Sequence, residues 1–534
     1  MNWAWTSKFD SGNCATIEQI KKPKFVTEKA LQQLPSNENV YFNLYNDVDN
    51  GTSTFRSYFN VLLRPSEIQH DNDLNLVDFL SLKTPENQPT KNLIFIWKTP
   101  PKTTRLIQNL FRPTFRHLNP TKTRRDFYKY PTIHDKIIEE LQILDERLIE
   151  VNELIPDYQQ VPFCIASSAI QAVDDDDEKV VIFAISSQNL IQISYSAPYP
   201  LSHIYYKYIG IKYLSSSFPA KLRVIQQEIG RTVLNFPILK FSIISKPNTP
   251  KLALSCRVHP GETLSSFLVD SIVISAVNFK IPVLDNFQIL LFPCLNPDGV
   301  YLGNYRSDSL SQNLNRSYDQ FDEKRFPVNT ALVRTLSVEK PLILIDFHNH
   351  ASILNAVLFG NDILTDAKQQ NLELQTPTNQ QILNLFFCKT ITTSAFFNTS
   401  KCDFSYGSME KTDQKGEGFD GTLRVISHRV CKIPFSFTLE THYFCYETMG
   451  KKCFWHVHEM CQIGEEIARG VCSFMALRNL KDFLGKIIRF LPCGLEVKKR
   501  IKEGKVDEEG VSEQWRMEIK EAEEGRGFVQ GNEK

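Results

Sequence analysis

Four apolar stretches of the chain each stop on a polar group: LALSCRVHPGE, ILLFPCLNPDG, LILIDFHNH and PFSFTLE. Together they present His259, Glu262, His348 and Glu440, the residue types of a zinc site with a carboxylate beside it. His259 and Glu262 are three apart across a Pro-Gly turn, so an imidazole nitrogen and a carboxylate oxygen can reach one cation from a single tight loop. His348 follows after 85 intervening residues, on a run from Leu342 to Phe347 too apolar for a surface loop. Two histidines and a glutamate leave a fourth tetrahedral position open, the mark of catalytic rather than structural zinc, and a water there would have its pKa lowered toward neutrality. Glu440, at the end of the last strand, is then a candidate to take that water's proton. HPGE alone is a weak signal, and a lone strand histidine is more often a satisfied core residue. The joint placement at strand ends, where open α/β sheets gather functional groups, separates the two readings.

A second set lies in NPDGVYLGNYRSDSLSQNLNR, between the second and third stretches. NPDG is turn chemistry and needs no function. Arg306, Asn315 and Arg316 put two guanidiniums and an amide just beyond a strand end. Guanidinium binds carboxylate through two parallel hydrogen bonds, an amide can add a third, and an arginine near a polarised carbonyl can stabilise an oxyanion. Taken singly, each arginine reads better as a solvated loop residue. Cys453, His456, His458 and Cys461 form another cluster of ligand types. On one helix, however, His456 and His458 would lie about 200° apart. The cluster is read as part of a packing helix, with a second zinc as the alternative.

The elements that must position these groups divide the 534 residues into three parts. Residues 1–195 read as a β-rich domain, sandwich-like and all-β, with strand patterns at Val40 to Tyr45, Thr54 to Leu63, Asn92 to Trp97 and Val180 to Ile185. The same part holds a basic segment (LNPTKTRRDFYKY), an amphipathic helix pattern from Ile133 to Leu154 and an acidic run from Asp174 to Glu178. Residues 196–485 alternate strand and helix, the pattern of an α/β/α domain with a mixed central sheet. A helix follows HPGE directly, because Leu264, Phe267, Leu268, Ser271 and Ile272 recur at helical spacing. Asn361 to Gln381, rich in Gln and Asn, is expected to be a surface insertion, and Ile463 to Leu484 a final amphipathic helix. Residues 486–534 are charged and expected to be a disordered tail.

Lys+Arg and Asp+Glu both number 61, so no net charge draws the chain to nucleic acid or to an anionic membrane. The first residues lack the pattern of a secretory signal, and no apolar run is long enough to span a bilayer. The twelve cysteines show no framework spacing, which fits reduced thiols in a cytosolic compartment.

HPGE, NPDG, NYR, LNR, the His348 strand and the TLE strand, in this order, resemble the zinc carboxypeptidases of the carboxypeptidase A superfamily. The closer resemblance is to the cytosolic carboxypeptidases, carried by FDSGN (Phe9 to Asn13), SYF (Ser57 to Phe59), APYPLSHIY (Ala197 to Tyr205), HPGETLSSF and CDFSYGSM (Cys402 to Met409), over about residues 5–480. FDSGN, YRSDS with NLNR, and CDFS are most similar to the type-5 branch, associated with branch-point glutamate. The resemblance implies one zinc ion on His259, Glu262 and His348, Glu440 as general base and acid, and Arg306 on the scissile carbonyl. It places Asn315 and Arg316 on the substrate's terminal carboxylate, and Arg424, in GTLR, at the bottom of a pocket selecting an acidic side chain.

The implied activity is removal of C-terminal or side-chain-linked glutamate from polyglutamylated protein tails, tubulin above all. The implied location is cytoplasmic, with microtubule or cilium association. Three departures stand out: Asn313 where digestive relatives carry an aspartate behind a zinc histidine, Asn349 where the family has glycine, and no clear counterpart of a mobile tyrosine, Tyr406 being the candidate. The other readings are an acyl-amino-acid amidohydrolase of the aspartoacylase type and a vestigial tubulin-tail binding protein.

Overall fold

In the computed structural model the described residues are 179–478 apart from 216–221, 372–374, 393 and 414–415. Before them, 2–7, 12–14, 16–23, 26, 31–32, 34–45, 49, 58–66, 79, 82, 89–99, 113–117, 159–160 and 163–166 are described. The basic segment, the helix pattern over Ile133 to Leu154, the acidic run and the tail all lie outside these residues.

The N-terminal part is two five-stranded sheets. One runs β1 (Asn2–Thr6), β4 (Asn60–Ser66), β10 (Ile191–Ser194), β6 (Thr114–His117), β7 (Gln159–Gln160), all antiparallel. The other runs β2 (Thr16–Ile20), β3 (Glu38–Tyr45), β5 (Lys91–Thr99), β9 (Lys179–Ser187), β8 (Phe163–Ala166), with β3 and β5 parallel. Alternation along each strand explains the pairing. Val61 and Leu63 of β4, Phe42 and Leu44 of β3, and Phe95 and Trp97 of β5 enter one shared core. There Phe59 stacks on Phe183 with ring centroids 6.0 Å apart and meets Trp97 edge-on at 5.3 Å. The intervening residues Tyr41, Ile94, Ile96 and Ile182 form a second cluster with Val26 and Leu31, so this sheet is covered on both faces.

The second part is built on a seven-stranded sheet, in the order β11 (Arg223–Arg231), β12 (Pro237–Ile244), β14 (Gln288–Phe292), β13 (Lys251–Cys256), β15 (Ile343–His350), β17 (Phe435–His442), β16 (Ala356–Phe359). The four central strands are parallel and the outer ones antiparallel. Odd-numbered residues of β15 and β17 (Ile343, Ile345, Phe347; Phe435, Phe437, Leu439) pack with the helices Leu264–Val277, Gln375–Ile391 and Val457–Arg478. On the other face Leu344, Leu290 and Ala253 pack with the helices Pro327–Glu339 and Leu423–Arg429. This second face turns polar toward the carboxyl ends of the strands, where Ser255, Asp346, His348 and Glu440 lie. A parallel sheet covered on both sides needs strands apolar in both registers, so the polar residues that interrupt them mark the site.

The surface insertion expected at Asn361 to Gln381 is instead two packed helices, Ile363–Gln369 and the start of Gln375–Ile391, with Ile363, Leu364, Ala367 and Gln381 buried. Two of its amides, Asn361 and Gln381, are buried and serve internal hydrogen bonds, while Gln369, Gln370 and Asn371 stay exposed. Asn361 Nδ2 donates to the Ser436 carbonyl at 3.3 Å, Gln381 Oε1 accepts from Ile363 N at 3.0 Å, and Asn384 Nδ2 donates to the Asn361 carbonyl at 2.8 Å. The last helix begins at Val457, six residues before its expected start at Ile463. No helix among the described residues is long and apolar enough to cross a membrane. Ten of the described cysteines are free thiols.

Candidate metal centre

Strand β13 leads into HPGE through Arg257, which takes the left-handed conformation (φ 59°) and is buried. Its guanidinium holds the turn in place, Nε donating to the Pro260 carbonyl at 2.9 Å and Nη1 to the Tyr199 carbonyl at 2.8 Å. Gly261 N donates to the Tyr305 carbonyl at 2.9 Å, and a Cβ on Gly261 would lie 2.8 Å from that same oxygen, so only glycine fits. His348 comes from β15 and is register partner to Glu440 of β17.

His259, Glu262 and His348 converge, and among the described residues they are the one group of three whose ligand atoms lie within 4.8 Å of one another. Glu262 bridges the imidazoles, with Oε1 2.7 Å from His259 Nδ1 and Oε2 2.8 Å from His348 Nδ1. The two Nδ1 atoms are 3.2 Å apart. Both outer nitrogens face acceptors: His259 Nε2 is 3.0 Å from Asn313 Oδ1, and His348 Nε2 is 2.8 Å from Asp346 Oδ2. Each ring is thereby set to carry its proton on Nε2 and to turn the Nδ1 lone pair inward.

Charge agrees with this donor set. Burial, with Arg306 nearby, pushes His259 down to about 3, keeping it the neutral imidazole a metal requires. Burial opposes charge on Glu262, but the two histidines outweigh it and hold the carboxyl well below its usual range. Burial also opposes charge on His348, yet Asp346 and Glu262 together raise its pKa, so the pair of carboxylates calls for positive charge between them. Two inward nitrogens, one carboxylate and a local excess of negative charge fit a divalent cation of the zinc type.

Glu440 is half-buried, and among the described residues no hydrogen bond engages its carboxylate. Burial and Glu262 push it up to about 7, against the pull of His348, Arg306 and Arg316. Those influences place Arg306 and Arg316 in the same electrostatic field as the triad. Asn315 Oδ1 accepts from Leu423 N at 3.1 Å, and Arg316 Nη1 donates to the Asn315 carbonyl at 2.7 Å. The Arg316 guanidinium lies over the Phe419 ring at 4.1 Å, with Nε 3.5 Å from Asp413 Oδ2. Arg424 is buried. It sits in the helix Leu423–Arg429, 3% exposed, and donates to the carbonyls of Gly360 and Ser408 and to Asn361 Oδ1. These partners are all neutral, and burial lowers its pKa to about 10.

The three departures resolve differently. Asn313 does receive His259, and Asp346, which the motif reading passed over, supplies a full carboxylate to the other histidine. Its signal was the spacing Asp-x-His, which on a strand puts both side chains on one face. Asn349 does not crowd the ligands, because the strand turns it to the opposite face. There its Oδ1 accepts from Ser265 N at 3.1 Å and its Nδ2 donates to Thr441 Oγ1, while its backbone N–H donates to Glu262 Oε2 at 3.1 Å. Tyr406 lies under the Arg429 guanidinium, 5.9 Å from its ring centroid, and feels the charge of Glu410. The phenols that feel the charge of Glu262 are Tyr305 and Tyr443, stacked with centroids 6.3 Å apart. Cys453, His456, His458 and Cys461 do not gather: Cys453 lies in a hairpin strand, and His458 is hydrogen-bonded to Gln462 within the last helix.

Comparison with known proteins agrees with this geometry. The zinc carboxypeptidase family model matches residues 210–356, which include His259, Glu262 and His348. Cytosolic carboxypeptidase 3 of Mus musculus is 29% identical over 277 residues, 50% of this chain and 26% of that one. Cytosolic carboxypeptidase 2 of Homo sapiens is 25% identical over 294 residues, 52% of this chain and 29% of that one. The chain thus aligns with less than a third of the length of these relatives. Among solved structures, a metallo-carboxypeptidase from Burkholderia cenocepacia superposes with TM-score 0.58 at 15% identity, covering 89% of this chain and 99% of that one. One from Pseudomonas aeruginosa, in complex with (2-guanidinoethylmercapto)succinic acid, gives 0.55 at 12% identity, covering 89% and 99%. The triad at the parallel strand ends, the matching family model and these relatives point the same way: residues 210–356 match the zinc carboxypeptidases, and the chain is similar to the cytosolic carboxypeptidases.

Proposed function

We propose that the chain is a metallocarboxypeptidase that removes glutamate from the ends or side-chain branches of glutamylated protein tails, tubulin being the first substrate to test. The observation that carries this reading is the convergence of His259, Glu262 and His348 beside a carboxylate, Glu440, that feels the charge of Arg306 and Arg316. His259, Glu262 and His348 would hold one zinc ion, which when bound polarises the scissile carbonyl and acidifies a water. Glu440 takes the proton from the attacking water, the carbonyl carbon gains the oxygen, and Arg306 donates to the resulting oxyanion. As the C–N bond breaks, Glu440 returns the proton to the leaving amine. Asn315 and Arg316 receive the terminal carboxylate, Arg316 lying over the Phe419 ring with Asp413 beside its Nε.

Preference for glutamate follows from Arg424. A buried guanidinium with only neutral partners gains most from an incoming carboxylate, and an apolar side chain would leave it uncompensated. The similarity to the type-5 branch makes branch-point glutamate the finer expectation. The cytosol, and microtubules within it, would be the place of action.

Mass spectrometry of linear and branched glutamylated tubulin-tail peptides, incubated with zinc-loaded wild type, Glu440→Gln and Arg424→Ile, tests the reading. Wild type should release glutamate. Glu440→Gln should keep its zinc and lose roughly 10²- to 10⁴-fold in rate, and Arg424→Ile should lose the preference for glutamate over leucine. Undiminished release by Glu440→Gln refutes the base assignment, and an undiminished preference in Arg424→Ile refutes the pocket. Turnover of an N-acyl amino acid with no action on peptides would favour the amidohydrolase reading.

A further inference from the structure

The loop that carries Arg306 is held from outside the α/β part. Asp49, which follows β3 in the N-terminal part and is 1% exposed, places its carboxylate against three consecutive backbone amides of that loop. Tyr305 N donates to Oδ1 at 2.7 Å, and Arg306 N and Ser307 N donate to Oδ2 at 2.8 and 2.9 Å. Ser307 Oγ adds a fourth bond to Oδ2 at 3.1 Å. Successive N–H groups turned to one side form a concavity for an anion, and here the anion is a side chain from another part of the chain. Two further contacts hold the same loop. Asn13 Nδ2 donates to the Gly303 carbonyl at 2.6 Å, and Tyr195 meets Tyr305 edge-on with centroids 6.0 Å apart. Gly303 has φ 73°, and a Cβ there would lie 2.6 Å from the Gly12 carbonyl, so the loop and the N-terminal part are in close backbone contact.

We infer that Asp49 is a positioning residue for Arg306: the N-terminal β part completes the catalytic centre by fixing the backbone from which that guanidinium projects. The inference rests on the role proposed for Arg306. Two oxygens of a full carboxylate accept four bonds. An Asn at this position offers one oxygen, and its amide hydrogens would face N–H donors. The loop would then relax, and a misplacement of about 1 Å in a transition-state donor costs up to roughly 10²-fold in rate. Asn315 and Arg316 stand on a separate segment tied to Leu423 and Phe419, so binding of the substrate's terminal carboxylate should survive.

The test uses the full zinc-loaded chain as wild type, Asp49→Asn, Arg306→Ala and the double variant. Asp49→Asn should lower kcat about 10- to 100-fold, leave KM within about threefold and leave zinc content at one per chain. In the Arg306→Ala background the same change should cost little further. Backbone hydrogen exchange in a peptide covering 304–308 should quicken, with the peptide covering 343–350 unchanged. The inference is overturned by a kcat within twofold of wild type, by an equal loss with and without Arg306, by a KM rise alone, by loss of zinc, or by unchanged exchange at 304–308. If wild type releases no amino acid from any peptide, the proposed activity fails while the exchange measurement still decides whether Asp49 holds the loop.

Discussion

Replacing Asp346 with Asn probes how the metal centre is held. Asp346 is fully buried, its Oδ2 accepting from His348 Nε2 at 2.8 Å and its Oδ1 from Ser255 Oγ at 2.7 Å. An Asn fills the same volume and can still turn its oxygen to His348 and its NH₂ to the serine hydroxyl, so geometry is conserved while the charge is removed. A hydrogen bond to a charged acceptor is about twice as strong as a neutral one, and loss of such a supporting group lowers metal affinity by roughly 10- to 100-fold, which is about 1.4 to 2.7 kcal/mol. Asn313→Ala, at the other histidine, removes a neutral acceptor and should cost less. Zinc affinity is measured by competition with a chromophoric chelator, for wild type and both variants, and the melting temperature is followed with and without zinc. The expected order of affinity is wild type, then Asn313→Ala, then Asp346→Asn. Equal affinity for wild type and Asp346→Asn, or a larger loss at Asn313, refutes the assignment of Asp346 as the dominant support.

Two further outcomes concern stability. Asp270 is buried with Lys207, Tyr199 and Tyr208, whose charged or hydroxyl groups all bond to its carboxylate. Asp270→Ala should therefore cost about 3 to 5 kcal/mol in chemical denaturation, because it strands a buried ammonium, whereas a cost below about 1 kcal/mol would show that Lys207 finds water. Asp308 is pushed up to about 6 by burial, against 3.8 for the free carboxyl, with Asp298 adding to the rise. Between those values the folded chain holds a proton that the unfolded chain has lost, so stability contributed by this group falls as pH rises through about 4 to 6. Asp308→Asn should flatten that slope in denaturation curves taken across the window, and an unchanged slope would exclude Asp308 as its source.

The triad and Glu440 were legible because each breaks an apolar run at its end, a pattern visible within a few residues. The α/β alternation and the early strands were legible for the same reason, since burial on one or both faces imposes a period of two. Asn361 to Gln381 was legible only in part, because amide-rich composition looks alike whether the amides face water, as Gln369, Gln370 and Asn371 do, or satisfy buried groups, as Asn361 and Gln381 do. Arg424 could be named only through family likeness. Nothing local to GTLR distinguishes a buried cation from an exposed one, and its partners come from residues 16 to 64 positions away. Asp49 lies 256 residues from Tyr305, and no motif announces their bond.

By itself the sequence determined which chemistry is available: two imidazoles, two carboxylates and the strands that end on them, all set by the alternation of apolar and polar side chains along short segments. Tertiary structure alone decided which nitrogen of each ring faces inward, that Asn313 stands behind His259, and that Asp49 reaches the Arg306 loop. Those are through-space relations, made when the ends of parallel strands meet and the Asp49 segment packs on the Arg306 loop. A hydrogen bond depends on separation in ångströms and on burial, neither of which distance along the chain encodes.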